Sequence, residues 1–75
     1  MKNKMLRYRV CELHMALVRA GEYGVAWYVL KILRKGKVKL YLDDDSWNAE
    51  RALENAGCKI WYSHNGNTSE AYLHC

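Results

Sequence analysis

The sequence contains no phenylalanine and no proline among its 75 residues, so its aromatic residues are tyrosines and tryptophans only. Each of these side chains joins a large apolar ring to a polar group that seeks a hydrogen-bond partner. Such side chains suit exposed contact surfaces better than a dry core. The absence of proline permits uninterrupted helices and strands and favours neither of them.

Long apolar runs are also missing, since no stretch approaches the roughly 20 apolar residues that span a bilayer as a helix. The first segment, MKNKMLRYRVCEL, is interrupted by Arg7 and Arg9 and does not predict a signal peptide. The three cysteines, Cys11, Cys58 and Cys75, are odd in number and do not form a disulfide framework. These absences predict a cytoplasmic protein without a membrane partner.

The chain is short and its charge is unevenly distributed. A chain of this length buries only about 60% of its unfolded surface, so we expect a single domain over residues 1–75. The net charge of +4 combines +8 in residues 1–39 with −4 in residues 40–75. Either the basic half faces an anionic partner, or the two halves neutralise each other within the fold.

A helix is most clearly predicted after three consecutive aspartates. Apolar residues recur there at helical spacing, namely Ala49, Ala52, Leu53 and Ala56, and Gly57 supplies a stop. Alternating residues predict a strand on each side, at Val38, Leu40 and Leu42 before the helix and at Cys58, Ile60 and Tyr62 after it. A strand, helix and strand of this length predict a parallel, right-handed βαβ unit.

The C-terminal part predicts a β-hairpin. Asn65-Gly66 is the strongest short turn signal, and residues 69–74 would return as an antiparallel strand. A two-residue turn there sets the register, with four facing pairs: Ile60 and Ala71, Cys58 and Leu73, Lys59 and Tyr72, Trp61 and Glu70. Both faces of this hairpin are self-consistent, which supports the register.

The N-terminal half is less clearly patterned. Residues 23–35 are apolar on nearly all sides and end in a basic turn before Gly36, which favours a helix over a strand. Residues 6–13 alternate as a strand would, although Leu6, Val10, Leu13 and Leu17 equally suit a helix. We therefore expect an α+β domain of order βαβαββ, with ααβαββ as the alternative. Its mixed sheet would carry the helices on one face.

The βαβαββ order resembles the TusA/SirA family of sulfur carriers and the C-terminal domain of translation initiation factor three. The sulfur carriers hold a Cys-Pro-x-Pro motif at the start of their first helix. The corresponding segment here reads RAGEYG and has neither cysteine nor proline. The resemblance therefore implies a fold without sulfur transfer.

The aspartates at positions 43–45 suit a helix start better than a metal site. Adjacent aspartates point in diverging directions, whereas a cation needs oxygen ligands that converge from several segments. We expect Asp44, Asp45 or Ser46 to cap the helix, while the other carboxylates favour the positive end of its dipole.

Zinc binding and catalysis are not expected. The potential zinc ligands lack the usual short paired spacings; they are Cys11, His14, Cys58, His64, His74 and Cys75. A chain this short also has little room for a nucleophile, a base, an oxyanion hole and a substrate pocket. We expect a protein that is not an enzyme, with no cofactor, metal or catalytic residue. A carrier role would need a reactive Cys58 or Cys75.

The sheet face turned away from the helices is the best candidate for a working surface. It would carry interleaved lysines and aromatic rings, namely Lys37, Lys39, Tyr41, Lys59, Trp61, Tyr72 and His74, and Arg7 and Arg9 would join if the first strand is real. Aromatic rings for stacking and lysines for phosphates are what single-stranded nucleic acid requires. The same rings could instead pack on the N-terminal segment, on a protein partner, or on a second copy in a homodimer.

Two functions follow from these features. The first is a small binding protein for single-stranded nucleic acid that uses this aromatic and basic sheet face. The alternative is a protein-binding inhibitor or regulator, such as a phage or mobile element carries against a host protein. It could act through an acidic patch that mimics nucleic acid, formed by Asp43, Asp44, Asp45, Glu50 and Glu54.

Overall fold

The computed structural model describes residues 2–41, 43–62 and 68–73. They form a small α+β domain with three helices and a three-stranded antiparallel sheet. The helices are α1 (Lys2–Arg19), α2 (Tyr23–Lys35) and α3 (Asp44–Ala56). The strands are β1 (Lys37–Tyr41), β2 (Lys59–Tyr62) and β3 (Thr68–Tyr72). The order of elements is ααβαββ, which is the alternative rather than the preferred order.

The prediction of a strand at residues 6–13 is wrong, because these residues lie inside α1. Leu6 and Val10 are buried in the core, and Leu13 and Leu17 pack against it, so the helical spacing decides the structure. Tyr8 supplies the alternation that suggested a strand, yet 62% of its surface is exposed. The apolar stripe thus has the period of a helix, and α1 lays it on α2 and α3.

Helix α2 lies where the apolar pattern predicts it and buries four residues: Val25, Ala26, Val29 and Ile32. Gly36 ends the helix in the left-handed region with φ of +82°, and its N–H donates to the Ile32 carbonyl at 2.8 Å. The Gly36 carbonyl then accepts from the Leu73 N–H at 2.9 Å. This glycine therefore joins the end of α2 to the residue that follows β3, beside the start of β1.

The sheet has the order β1-β3-β2, and both outer strands are antiparallel to β3. The predictions of a mixed sheet and of direct parallel pairing between β1 and β2 are therefore wrong. A strand–helix–strand connection makes the two strands run in the same direction but does not make them neighbours. Here β3 enters the gap, and each of its two edges forms an antiparallel ladder.

The predicted register of the hairpin agrees with the ladder. Lys59 faces Tyr72, Ile60 faces Ala71, and Trp61 faces Glu70. The Asn65-Gly66 turn lies outside the described residues, and the expected pair of Cys58 and Leu73 lies beyond the ladder.

The core fills the space between the sheet and the helices. Val38, Leu40 and Ala71 line the covered face of the sheet and are each at most 5% exposed. They belong to one cluster with residues of the helices, including Val29, Ile32, Ala49 and Leu53. The opposite face of the sheet therefore carries the side chains that alternate with these core residues.

Candidate binding surface on the open sheet face

The sheet face turned away from the helices arranges its side chains in three rows across the strands. The first row is Lys37, Tyr72 and Lys59, the second is Lys39, Glu70 and Trp61, and the third is Tyr41 and Thr68. We call these eight residues the open face. Neighbouring strands lie about 4.8 Å apart, so each complete row spans roughly 10 Å.

The open face brings together six residues that the sequence places on this side: Lys37, Lys39, Tyr41, Lys59, Trp61 and Tyr72. The segment KVKLY explains half of this result, since its residues alternate between exposed and buried along β1. Tyr41 and Trp61 expose 53% and 63% of their surfaces. Three aromatic rings and three lysines thus share one surface.

Glu70 lies at the centre of the open face, on the middle strand and between Lys39 and Trp61. Its Oε1 accepts a hydrogen bond of 2.6 Å from the hydroxyl of Tyr72. This hydrogen bond is the main cause that raises the pKa of Tyr72, followed by desolvation and by the charge of Glu70. The hairpin register predicted from the sequence places Glu70 opposite Trp61, but it does not indicate a role for the carboxylate.

Two lysines of α2 extend the basic surface past the edge strand β1. Lys31 and Lys35 line a hollow of about 230 Å³ together with residues of β1 and β3. Lys37, Lys39 and Glu70 are among its other lining residues. The helical pattern of residues 23–35 did not predict this contribution, because periodicity does not show which side of a helix borders a sheet edge.

A second hollow of about 250 Å³ lies on the other side of Lys39 and Glu70 and includes Trp61 and Thr68. Lys39 and Glu70 line both hollows. Along α2, the Nζ atom of Lys31 lies 5.7 Å from the centre of the Trp27 ring, a cation–π distance. Lys31 thus lies between the Trp27 ring on α2 and the hollow beside β1.

Arg7 and Arg9 do not join the open face, because the strand expected to carry them is part of α1. Both side chains are exposed. The Nη1 atom of Arg7 donates to the Leu33 carbonyl at 3.0 Å, near the C-terminal end of α2. This contact satisfies a carbonyl of the last helical turn, and it places a positive charge at the negative end of the helix dipole, where it is stabilising. His74 lies outside the described residues.

The three aspartates begin α3, as the sequence predicts, although the capping residue is Asp43 rather than the expected Asp44, Asp45 or Ser46. The Ser46 N–H donates to Asp43 Oδ1 at 2.8 Å, and the Asp43 N–H donates to Ser46 Oγ at 3.2 Å. This reciprocal pair is a capping box. Asp44 and Asp45 occupy the first turn, where negative carboxylates interact favourably with the positive end of the helix dipole.

Two acids of the proposed acidic patch also hold the fold together. Tyr28 donates its hydroxyl to Asp43 Oδ2 at 3.4 Å, and its pKa is raised by burial first and by the charge of Asp43 second. Glu50 accepts from Ser69 Oγ at 2.8 Å and from the Tyr62 hydroxyl at 3.0 Å. The bond to Glu50 is the main cause that raises the pKa of Tyr62. Internal hydrogen bonds thus occupy Asp43 and Glu50.

The cysteines lie apart in the described structure. Cys58 is buried in the core, whereas Cys11 is exposed on α1. Within residues 2–41, 43–62 and 68–73, no three histidine, cysteine, aspartate or glutamate side chains gather where they could hold a metal ion. His64 and Cys75 lie outside these ranges. None of the helices within the same ranges is long and apolar enough to cross a membrane.

Comparison of the chain with protein-family models, curated proteins and solved structures gives no match. The resemblance in order of elements to the sulfur carriers and to the initiation-factor domain also fails, because residues 6–13 belong to a helix. The functional argument therefore rests on the open face itself.

Proposed function

We propose that the open face binds single-stranded nucleic acid and that the protein catalyses no reaction. The observation that supports this proposal most strongly is the order of side chains within the rows. Trp61 and Tyr41 present exposed rings. Lys59 lies one row from Trp61, Lys39 lies one row from Tyr41, and Lys37 lies beside Tyr72 in the first row. Rings that stack on bases, beside cations that contact phosphates, are the recurring elements of single-strand binding.

The spacing of the rings favours two separately stacked bases. Tyr41 and Trp61 lie on the two edge strands and one row apart. Strand spacing and residue rise place their Cα atoms roughly 12 Å from each other. Bases in a single strand can be splayed to reach two such positions, whereas bases in a duplex are already stacked on each other.

The cations favour a defined path for the backbone of the ligand. Lys31 and Lys35 border β1, and Lys37 and Lys59 flank Tyr72 in the first row. Phosphates along this path would release counterions on binding, so affinity should fall steeply with salt. A cytoplasmic location accompanies this proposal.

The test is a titration of short fluorescent single-stranded RNA and DNA, followed by anisotropy at about 50 mM and about 200 mM salt. We expect Trp61→Ala to weaken binding by about 5- to 150-fold, because a stacked base contributes about 1–3 kcal/mol. Trp47→Ala is the matched control, since Trp47 is 62% exposed and lies on α3. The control should bind as the unchanged protein does. Absence of binding at the lower salt concentration would contradict the proposal.

The second candidate is a protein-binding regulator or inhibitor, and a surface on α3 favours it. Trp47 lies with Asp44, Asn48 and Arg51 around a hollow of about 350 Å³. Tryptophan and arginine are enriched at the energetic centres of protein interfaces. Of the acids in the proposed patch, Asp44 lines this hollow, and Glu54 lies about two helical turns after Trp47 on α3.

A complex with one host protein would separate the two candidates. The regulator predicts a complex that survives Trp61→Ala and is lost in the double variant Asp44→Asn/Glu54→Gln. These two acids are chosen because Asp43 and Glu50 hold internal hydrogen bonds. A homodimer through the open face is a third outcome, and Trp61→Ala would then reduce the mass measured by light scattering.

A further inference from the structure

The carboxylate of Glu70 is unusual because it stands among cations on the proposed ligand surface. It lies on the central strand of the sheet, whose partners on both sides fix its backbone. Lys39 faces it from β1 and Trp61 from β2. A carboxylate here repels phosphate, so a bound strand must present another chemical group to this position.

The orientation of this carboxylate is constrained by its neighbour on β3. The Tyr72 hydroxyl donates to Glu70 Oε1 at 2.6 Å. Because the pKa of Tyr72 is raised, its hydroxyl stays protonated and continues to donate at neutral pH. An ionised carboxylate has about four acceptor positions, so a ligand can donate further hydrogen bonds to the same group.

The edge of a base is the part of a nucleic acid that carries such donors. A base stacked on Trp61 can turn one edge along the second row, first toward Glu70 and then toward Lys39. This order matches guanine, whose Watson–Crick edge presents two adjacent donors, N1–H and N2–H, followed by the O6 acceptor. Two donors fit a carboxylate, and O6 fits an ammonium group.

The other bases match the row less well. Uracil and thymine present one donor between two carbonyl groups, so a carboxylate meets an unfavourable oxygen on either side. Cytosine and adenine each present an amino group beside an acceptor nitrogen, which allows one hydrogen bond to Glu70 rather than two. A fixed carboxylate therefore ranks the bases by their paired donors.

We propose that Glu70, together with Lys39 and Trp61, forms a subsite that selects guanine in single-stranded nucleic acid. This inference rests on the proposed function of the open face. Trp61 stacks on the base, Glu70 accepts from N1–H and N2–H, and Lys39 donates to O6. The selectivity resides in Glu70, because stacking and phosphate contacts are tolerant of sequence.

The test compares three short DNA oligomers: oligothymidine, the same oligomer with one central guanosine, and the same oligomer with inosine in that place. Inosine keeps N1–H and O6 but lacks the N2 amino group. We expect the guanosine oligomer to bind about 5- to 150-fold more tightly than oligothymidine, the discrimination of one good bidentate pair. The inosine oligomer should fall between them.

The variant Glu70→Gln provides the specific readout, because it is nearly isosteric and removes the charged acceptor pair. We expect it to lose the preference for guanosine while it binds oligothymidine at least as tightly as before. Glu54→Gln is the control, since it removes the same charge from an exposed position on α3. This control should keep the preference for guanosine, and circular dichroism would confirm that both variants fold.

The outcomes separate this inference from the function on which it rests. Equal binding of all three oligomers by the unchanged protein would overturn the guanine subsite and leave the nucleic-acid function standing. A Glu70→Gln variant that binds all three more tightly by the same factor would also overturn it, because Glu70 would then act only through its charge. Absence of binding to every oligomer would overturn both proposals.

Discussion

The Ser46 N–H donates to Asp43 Oδ1 at 2.8 Å, and this contact makes Asp43 the N-cap of α3. We expect Asp43→Ala to lower the free energy of unfolding by about 1–2 kcal/mol, the usual loss for an N-cap. Asp44→Ala is the control, because Asp44 lies in the first turn and contributes through the helix dipole, for which we expect about 0.3–0.5 kcal/mol. Urea denaturation followed by far-ultraviolet circular dichroism measures both. Equal losses in the two variants would contradict the capping role.

Two glycines should respond in opposite ways to replacement by alanine. Gly36 has φ of +82°, so Gly36→Ala should destabilise the protein by about 1–2 kcal/mol. Gly24 lies in the first turn of α2 without a positive φ, and the three atoms nearest to an added methyl group all belong to the exposed carboxylate of Asp45, which can rotate away. Gly24→Ala should therefore be neutral or stabilise by up to about 1 kcal/mol. Thermal denaturation would contradict this account if Gly24→Ala were the more harmful change.

The register of β2 against β3 and the side chains that share the open face could be predicted, because local signals indicate both. The dipeptide Asn65-Gly66 is a sequence signal for a two-residue turn, and such a turn predicts which residues of β2 and β3 face each other. The alternation in KVKLY fixes which side chains of β1 share a face, whatever strand lies beside them. These two local rules were sufficient to bring Lys39, Tyr41 and Trp61 to one surface.

The remaining features depend on tertiary contacts that no local pattern contains. Residues 6–13 satisfy a period of two and a helical period together, and burial of Leu6 and Val10 against the other helices decides between them. Insertion of β3 between β1 and β2 depends on which ladder is more favourable. The approach of Lys31 and Lys35 to the sheet follows from the position of α2 beside β1.

The thiols of Cys11 and Cys58 should differ sharply in reactivity. Cys11 is exposed, whereas Cys58 is 5% exposed and belongs to the core. In a Cys75→Ser background, Ellman's reagent should modify one thiol rapidly and the second only at the rate of unfolding. Cys11→Ser in the same background should remove the rapid phase. Rapid modification of Cys58 in the folded protein would contradict its burial and would support a carrier role.

Stability should decline at high pH because three tyrosines have raised pKa values. Tyr28, Tyr62 and Tyr72 each donate to a carboxylate, so folding holds their protons more tightly than the unfolded chain does. Their stabilising effect is complete below the unfolded pKa of about 10 and is lost as the pH rises through the folded values. Thermal denaturation between about pH 8 and about pH 11.5 measures this loss.

Glu50→Gln gives this pH dependence a specific test. It replaces the charged acceptor of the Tyr62 hydroxyl, so the pKa of Tyr62 should move back toward its usual value. Absorbance at 295 nm would report the ionisation, with Tyr62→Phe identifying the signal. An unchanged titration of Tyr62 in Glu50→Gln would contradict the assigned cause.

The central claim is that a base stacks on Trp61, and tryptophan fluorescence tests it most directly. The chain has three tryptophans, so the double variant Trp27→Phe/Trp47→Phe leaves Trp61 as the only one. Titration of this variant with a short single-stranded oligomer should quench its emission in a saturable, salt-sensitive manner. Trp61→Phe keeps the other two tryptophans and should show little quenching. Quenching in Trp61→Phe but not in the double variant would place the ligand elsewhere and contradict the account.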